Sequence, residues 1–139
     1  MSPSLSLPSS PIGQFMGWKL LSHEPRGYVR IAFEPRPEFL NPAGYVQGGF
    51  LTAMLDDCTG PAVWFATNAQ LYTVTIDLNV NFLAPVALGP LTGEGEVVRL
   101  GKTVGFVDAR LLDAQGQLLV RASSTVRLIA TERALPSKQ

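Results

Sequence analysis

Two carboxylates stand side by side in an otherwise apolar stretch, Phe50-Leu51-Thr52-Ala53-Met54-Leu55-Asp56-Asp57-Cys58. Taking a charge out of water is costly unless it is paired or employed. Adjacent acids among apolar neighbours therefore point to proton transfer or nucleophilic attack. The segment opens with Gln47-Gly48-Gly49. A helix start offers unpaired backbone N–H groups and the positive end of a dipole, and glycine lets a substrate approach the backbone closely. Paired acids behind a glycine-rich helix start are the first place to look for chemistry.

Other chemistries find less support. His23 is the only histidine and Cys58 the only cysteine. Thiolate zinc sites lack their ligands, no intrachain disulfide can form, and a reducing, cytoplasmic compartment fits. His23 lies outside every motif, and Cys58 among core residues reads as a small apolar filler. Eleven basic and eleven acidic side chains cancel, with no basic arm, which argues against a nucleic-acid partner. No apolar run approaches the roughly 20 residues of a membrane span. Hydrophobic residues make up 46% of the chain and charged residues 16%, so a covered apolar surface and an oligomer are expected.

The chain of 139 residues predicts one domain over residues 12–130. A Ser- and Pro-rich flexible lead (1–11) precedes it, without the cationic and apolar regions of a signal peptide, and a frayed tail (131–139) follows. Ile12 to Leu21 reads as a short helix running into a strand. Tyr28 to Phe33 alternates as a strand. Pro35, Pro37, Pro42 and Gly44 punctuate a loop. Gly48 to about Thr67 is the main helix, apolar on more than one stripe and so buried on most sides. Gly60-Pro61 predicts a kink or an early end. Four strands follow. Tyr72, Val74, Ile76, Leu78, Val80 and Phe82 share one face of the first, and the others span Leu91–Leu100, Thr103–Leu112 and Leu118–Leu128. Short turns predict a meander. One long apolar helix must be covered by one sheet.

This order resembles the α+β hotdog fold, a curved antiparallel sheet of about six strands around one long central helix. Within it the chain is similar to small acyl-CoA thioesterases of the phenylacetate-degradation type. The resemblance covers roughly residues 27–128. It rests on Asn41-Pro42, Gln47-Gly48-Gly49, Leu55-Asp56-Asp57, Asn81-Phe82-Leu83-Ala84-Pro85 and Leu100-Gly101-Lys102-Thr103.

The resemblance implies hydrolysis of an acyl-CoA thioester, with coenzyme A as part of the substrate and no further cofactor or metal. The family's acid stands eight residues after its first glycine, which selects Asp56 and leaves Asp57 as support. Asn41 matches an amide position, and Thr75 loosely matches a hydroxyl on the next strand. Gln47 departs from the family's usual His. Glutamine donates and accepts hydrogen bonds but cannot shuttle a titrating proton. Gly48 would polarise the thioester carbonyl. Asp56 would serve as general base or as nucleophile. Gly49 and Phe50 would touch the substrate, and Lys102, Arg99 and Arg133 would meet the coenzyme A phosphates. Phe50, Met54 and Trp64 are acyl-lining candidates that equally suit plain core packing. The resemblance further implies a homodimer with sites shared between chains, assembled as a dimer of dimers. A hotdog dehydratase or hydratase and a non-catalytic acyl-CoA binder remain as alternatives, and a carrier protein could replace coenzyme A.

Overall fold

The computed structural model describes residues 6–136, so the first part of the expected lead and the end of the tail lie outside it. The elements run α1 (Pro11–Phe15), β1 (Lys19–Glu24), β2 (Tyr28–Phe33), a single 3-10 turn at Pro37–Phe39, α2 (Gly48–Ala66), β3 (Leu71–Phe82), β4 (Leu91–Leu100), β5 (Val104–Leu112), β6 (Leu118–Ala130) and α3 (Thr131–Ala134). Six antiparallel strands form one sheet in the order β1-β2-β4-β5-β6-β3, and α2 packs against it. This is the hotdog arrangement. Among the described residues no helix is long and apolar enough to cross a membrane.

The helix α2 buries nine side chains, among them Leu51, Met54, Leu55, Cys58, Ala62, Val63 and Phe65. They face Val29, Ile31, Phe33, Val107, Leu111, Val120 and Val126 from the strands in one core. Burial raises the Cys58 thiol well above its ordinary pKa, which keeps it protonated and inert, as its reading as a filler requires. Two glycines on β4 let the helix sit down. A Cβ at Gly93 would stand 2.6 Å from Cys58 Sγ, and one at Gly95 only 2.1 Å from the Cys58 carbonyl oxygen.

Three expectations need correction. First, of the two outcomes expected at Gly60-Pro61, a kink or an early end, the early end does not occur: α2 continues to Ala66, close to the expected limit near Thr67. Proline there removes only the bond that would have capped the Asp57 carbonyl, and burial of the surrounding helix outweighs that loss. Second, the four last strands are not a simple meander. β4, β5 and β6 are, but β3 pairs with β6 at the far edge. The segment Leu83–Pro90 is the reason. Eight extended residues can reach about 26 Å, enough to cross the three strand spacings, roughly 14 Å, from β3 to β4.

Third, the apolar residues of β3 do not share one face. Thr75 pairs with Val126, but Asp77 pairs with Thr125, so Ile76 is an extra residue, a β-bulge. Before it, Thr73 and Thr75 stand opposite the inward-facing Leu128 and Val126. After it, Leu78, Val80 and Phe82 take the inward positions, opposite Ser124, Ala122 and Val120. Tyr72, Val74 and Ile76 are left exposed on an edge strand (38%, 48% and 59%).

Candidate functional site

The bulge delivers a hydroxyl to an acid. Thr75, just ahead of it, donates its hydroxyl to Asp56 Oδ1 at 2.7 Å. Asp56 is exposed, contrary to a reading that buries both carboxylates, while its neighbour Asp57 turns about 100° around the helix and is half-buried. Asp57 Oδ2 is fully covered and has no hydrogen-bond partner among the described residues. Burial first, and the charge of Asp56 second, push its pKa up to about 6. The two acids are therefore distinct: an accessible carboxylate held by a hydroxyl, and a covered one that resists ionisation.

Both acids and Thr75 line a cleft of about 500 Å³ between α2, β3 and the N-terminal segment. Gly48 does not. It lies in a second hollow of about 340 Å³ with Asn41, Tyr45 and Phe82. On one helix the Gly48 and Asp56 backbones are two turns apart, roughly 12 Å, too far to act on one carbonyl.

The start of α2 has the properties an oxyanion site needs. Its N-cap, Gln47, makes no side-chain cap hydrogen bond. The N–H groups of Phe50 and Leu51 both bond the Gln47 carbonyl, while those of Gly48 and Gly49 have no partner among the described residues. The Phe82 ring packs over Gly48, where a Cβ would stand 3.1 Å from it. Asn41 is occupied differently from a substrate clamp: its Oδ1 accepts the N–H groups of Ala43 (3.0 Å) and Tyr45 (3.1 Å), capping its own loop. That bonding shapes the hollow beside Gly48, and the Asn41 amide N–H₂ has no hydrogen-bond partner among the described residues.

Other sequence candidates sit elsewhere. Phe50 stacks on the buried Phe39 ring (centroids 4.1 Å, interplanar angle 7°) and lines neither hollow, as does Met54, which is fully buried. Arg99 and Lys102 are exposed at the β4–β5 hairpin, and Arg133 lies on α3; none lines either hollow. His23 stacks on Phe65 (3.9 Å, 6°). Trp64 does line the larger cleft. Sequence reading missed the rest of that wall: Leu7, Gln14 and Trp18 from the N-terminal segment. Leu7, apolar within the Ser- and Pro-rich lead, and Trp18, in the stretch predicted as a short helix running into a strand, were the available signal.

The profile of the thioesterase superfamily matches residues 43–120, and the chain belongs to that family. A candidate esterase from Saccharolobus solfataricus is 31% identical over 87% of this chain and 85% of its own. Among solved structures, a candidate thioesterase from Ralstonia eutropha, a phenylacetic acid degradation-related protein, is 31% identical with a TM-score of 0.81, covering 87% of this chain and 92% of that one. A Streptococcus mutans protein bound to acetyl CoA shares the fold at 24% identity and a TM-score of 0.73, covering 81% and 89%.

Proposed function

We propose that the protein hydrolyses an acyl-CoA thioester to a free acid and coenzyme A, using sites shared between two copies of the chain. The observation that carries this reading is the Asp56–Thr75 pair, an exposed, oriented carboxylate at the free edge of a sheet. The acetyl-CoA and phenylacetic acid links of the related structures support the substrate class.

A second copy supplies what one chain lacks. β3 is a twelve-residue edge strand with exposed Tyr72, Val74 and Ile76 beside it, a template for antiparallel pairing. A twofold axis between Leu78 and Asn79 would put Thr75 opposite Phe82 of the second copy. Since Phe82 packs on Gly48, that register brings Asp56 of one chain to the helix start of the other.

The chemistry then follows. The thioester oxygen accepts the Gly48 N–H, reinforced by the positive end of α2, and the Asn41 amide or Gln47 holds the same oxygen or the water. As general base, Asp56 takes a proton from water whose oxygen bonds the carbonyl carbon. The tetrahedral oxyanion rests on Gly48 N–H and collapses with loss of the coenzyme A thiolate, which then takes a proton. As nucleophile, Asp56 itself bonds the carbon, the C–S bond breaks and the coenzyme A thiolate leaves to take a proton, and water cleaves the resulting anhydride to the free acid and a restored Asp56 carboxylate. Gln47 is compatible with both routes because neither requires it to titrate. Among the described residues His23 stacks on Phe65 and pairs with no acid, which leaves a hydratase without its usual partner.

The test is turnover on a panel of acyl-CoAs, wild type beside Asp56→Ala. Loss of about 100-fold or more in kcat in the variant is expected. Unchanged hydrolysis would remove Asp56 from the mechanism. Tight binding without turnover of any acyl chain by the wild type would make the protein a binder.

A further inference from the structure

The larger cleft has a direction. Asp56 meets Thr75, and a Cβ on Gly60 would meet Thr73 Oγ1 at 3.1 Å. One turn up the helix is thus two residues back along the strand, about 6 Å in each case. The next step in the series reaches Trp64 and Leu71, which also line the cleft, with Leu135 beyond α3. From the acid to Trp64 is two helical turns, roughly 12 Å. One long wall comes from residues before β1: Leu7, Pro8, Ser10, Gly13, Gln14 and Trp18.

This wall is held at one end. Met16 is buried at 1% exposure, its carbonyl accepts the Glu34 N–H at 3.1 Å, and Phe15 packs on Phe39. Upstream, the Ser10 hydroxyl caps α1 by accepting the Gly13 N–H, and Leu7 returns to the core margin. The acid and Thr75 fall inside the family match at residues 43–120, whereas this wall and Leu135 fall outside it.

We infer that the N-terminal segment Leu7–Trp18 is the acyl-selecting wall of the enzyme, and that the acyl group runs along α2 from Asp56 towards Trp64 beneath Leu7 and Trp18. The inference rests on the thioesterase reading and adds the substrate class: an apolar acyl group longer than acetyl. Such a group gains its affinity by covering Leu7, Trp18, Trp64 and Leu71, contacts that acetyl is too short to make.

The chain's two tryptophans, Trp18 and Trp64, both line the cleft, so intrinsic fluorescence reports its occupancy. Two variants test the wall: deletion of residues 2–10, which leaves the Met16 anchor, and Trp18→Ala. With decanoyl-CoA each is expected to lower kcat/KM by about tenfold or more, with acetyl-CoA by less than about twofold. A parallel loss for both substrates, or no loss for either, overturns the inference. S-decyl-CoA, a thioether that cannot be hydrolysed, separates this from the activity itself. It should change wild-type fluorescence where coenzyme A does not, with weaker binding in both variants. No change in the wild type, or equal affinity in the variants, overturns the wall. Absence of hydrolysis beside intact, wall-dependent thioether binding would instead overturn the thioesterase reading alone.

Discussion

At the scale of single residues, the two acids have opposite relations to water. Asp56 is exposed and held by Thr75. Thr75→Val removes the hydroxyl with little change of shape. It should lower kcat while changing stability by only about 1 kcal/mol, measured by steady-state kinetics and urea unfolding. Asp57 works through its covered oxygen. Its folded pKa is about 6 against an ordinary 3.8, so the folded state prefers the neutral acid. The stability this confers is fully present below pH 4 and is lost as the pH rises through 6. Asp57→Asn carries no titrating group, so its stability relative to wild type should climb between pH 4 and pH 7 in thermal unfolding. A flat difference across that window would contradict the burial assigned to Asp57. The sequence made the pair conspicuous but placed both acids inside. Which one is exposed depends on where β3 lies, and spacing along one helix carries no record of that.

At the scale of elements, much was legible because the patterns are local. β2 and the extent of α2 follow from alternation and from a long apolar run between Gly48 and Thr67. The bulge at Ile76 was not legible: Tyr72 to Phe82 alternates without interruption, and the extra residue exists only in the pairing with β6. The position of β3 was likewise hidden, since a proline-bearing connection can be a turn or a crossing and only length separates the two. The close seat of α2 on β4 gives a sharp test. Gly95→Ala would drive a methyl into the Cys58 carbonyl, and backbone cannot yield as a side chain does. A loss of about 3 kcal/mol in denaturant unfolding is expected, at the upper end of overpacking costs. Thr52→Ala should cost far less, since its hydroxyl only bonds the Gly48 carbonyl, one turn back within the helix, at 2.8 Å.

At the scale of the whole molecule, the proposed assembly depends on the unpaired β3 edge. Val74→Lys places a charge on the proposed dimer edge, where a partner strand would bury it. Sedimentation should then show a shift to monomer, and turnover should fall with it although no proposed catalytic group has changed. Retained dimer with retained activity would place the second copy elsewhere.

The two-turn gap between Gly48 and Asp56 has a consequence for mixtures of chains. If each site draws its acid from one subunit and its oxyanion donor from the other, two inactive variants can repair one another. Gly48→Pro abolishes the donor N–H at the first helical position, where proline is tolerated. Co-expressed with Asp56→Ala, half of the randomly formed dimers would be hybrids, each with one wholly intact site and one doubly defective. Activity of about a quarter of wild type should return from two dead parents. The protein would thereby behave, in a genetic cross, as two complementing loci carried by one reading frame.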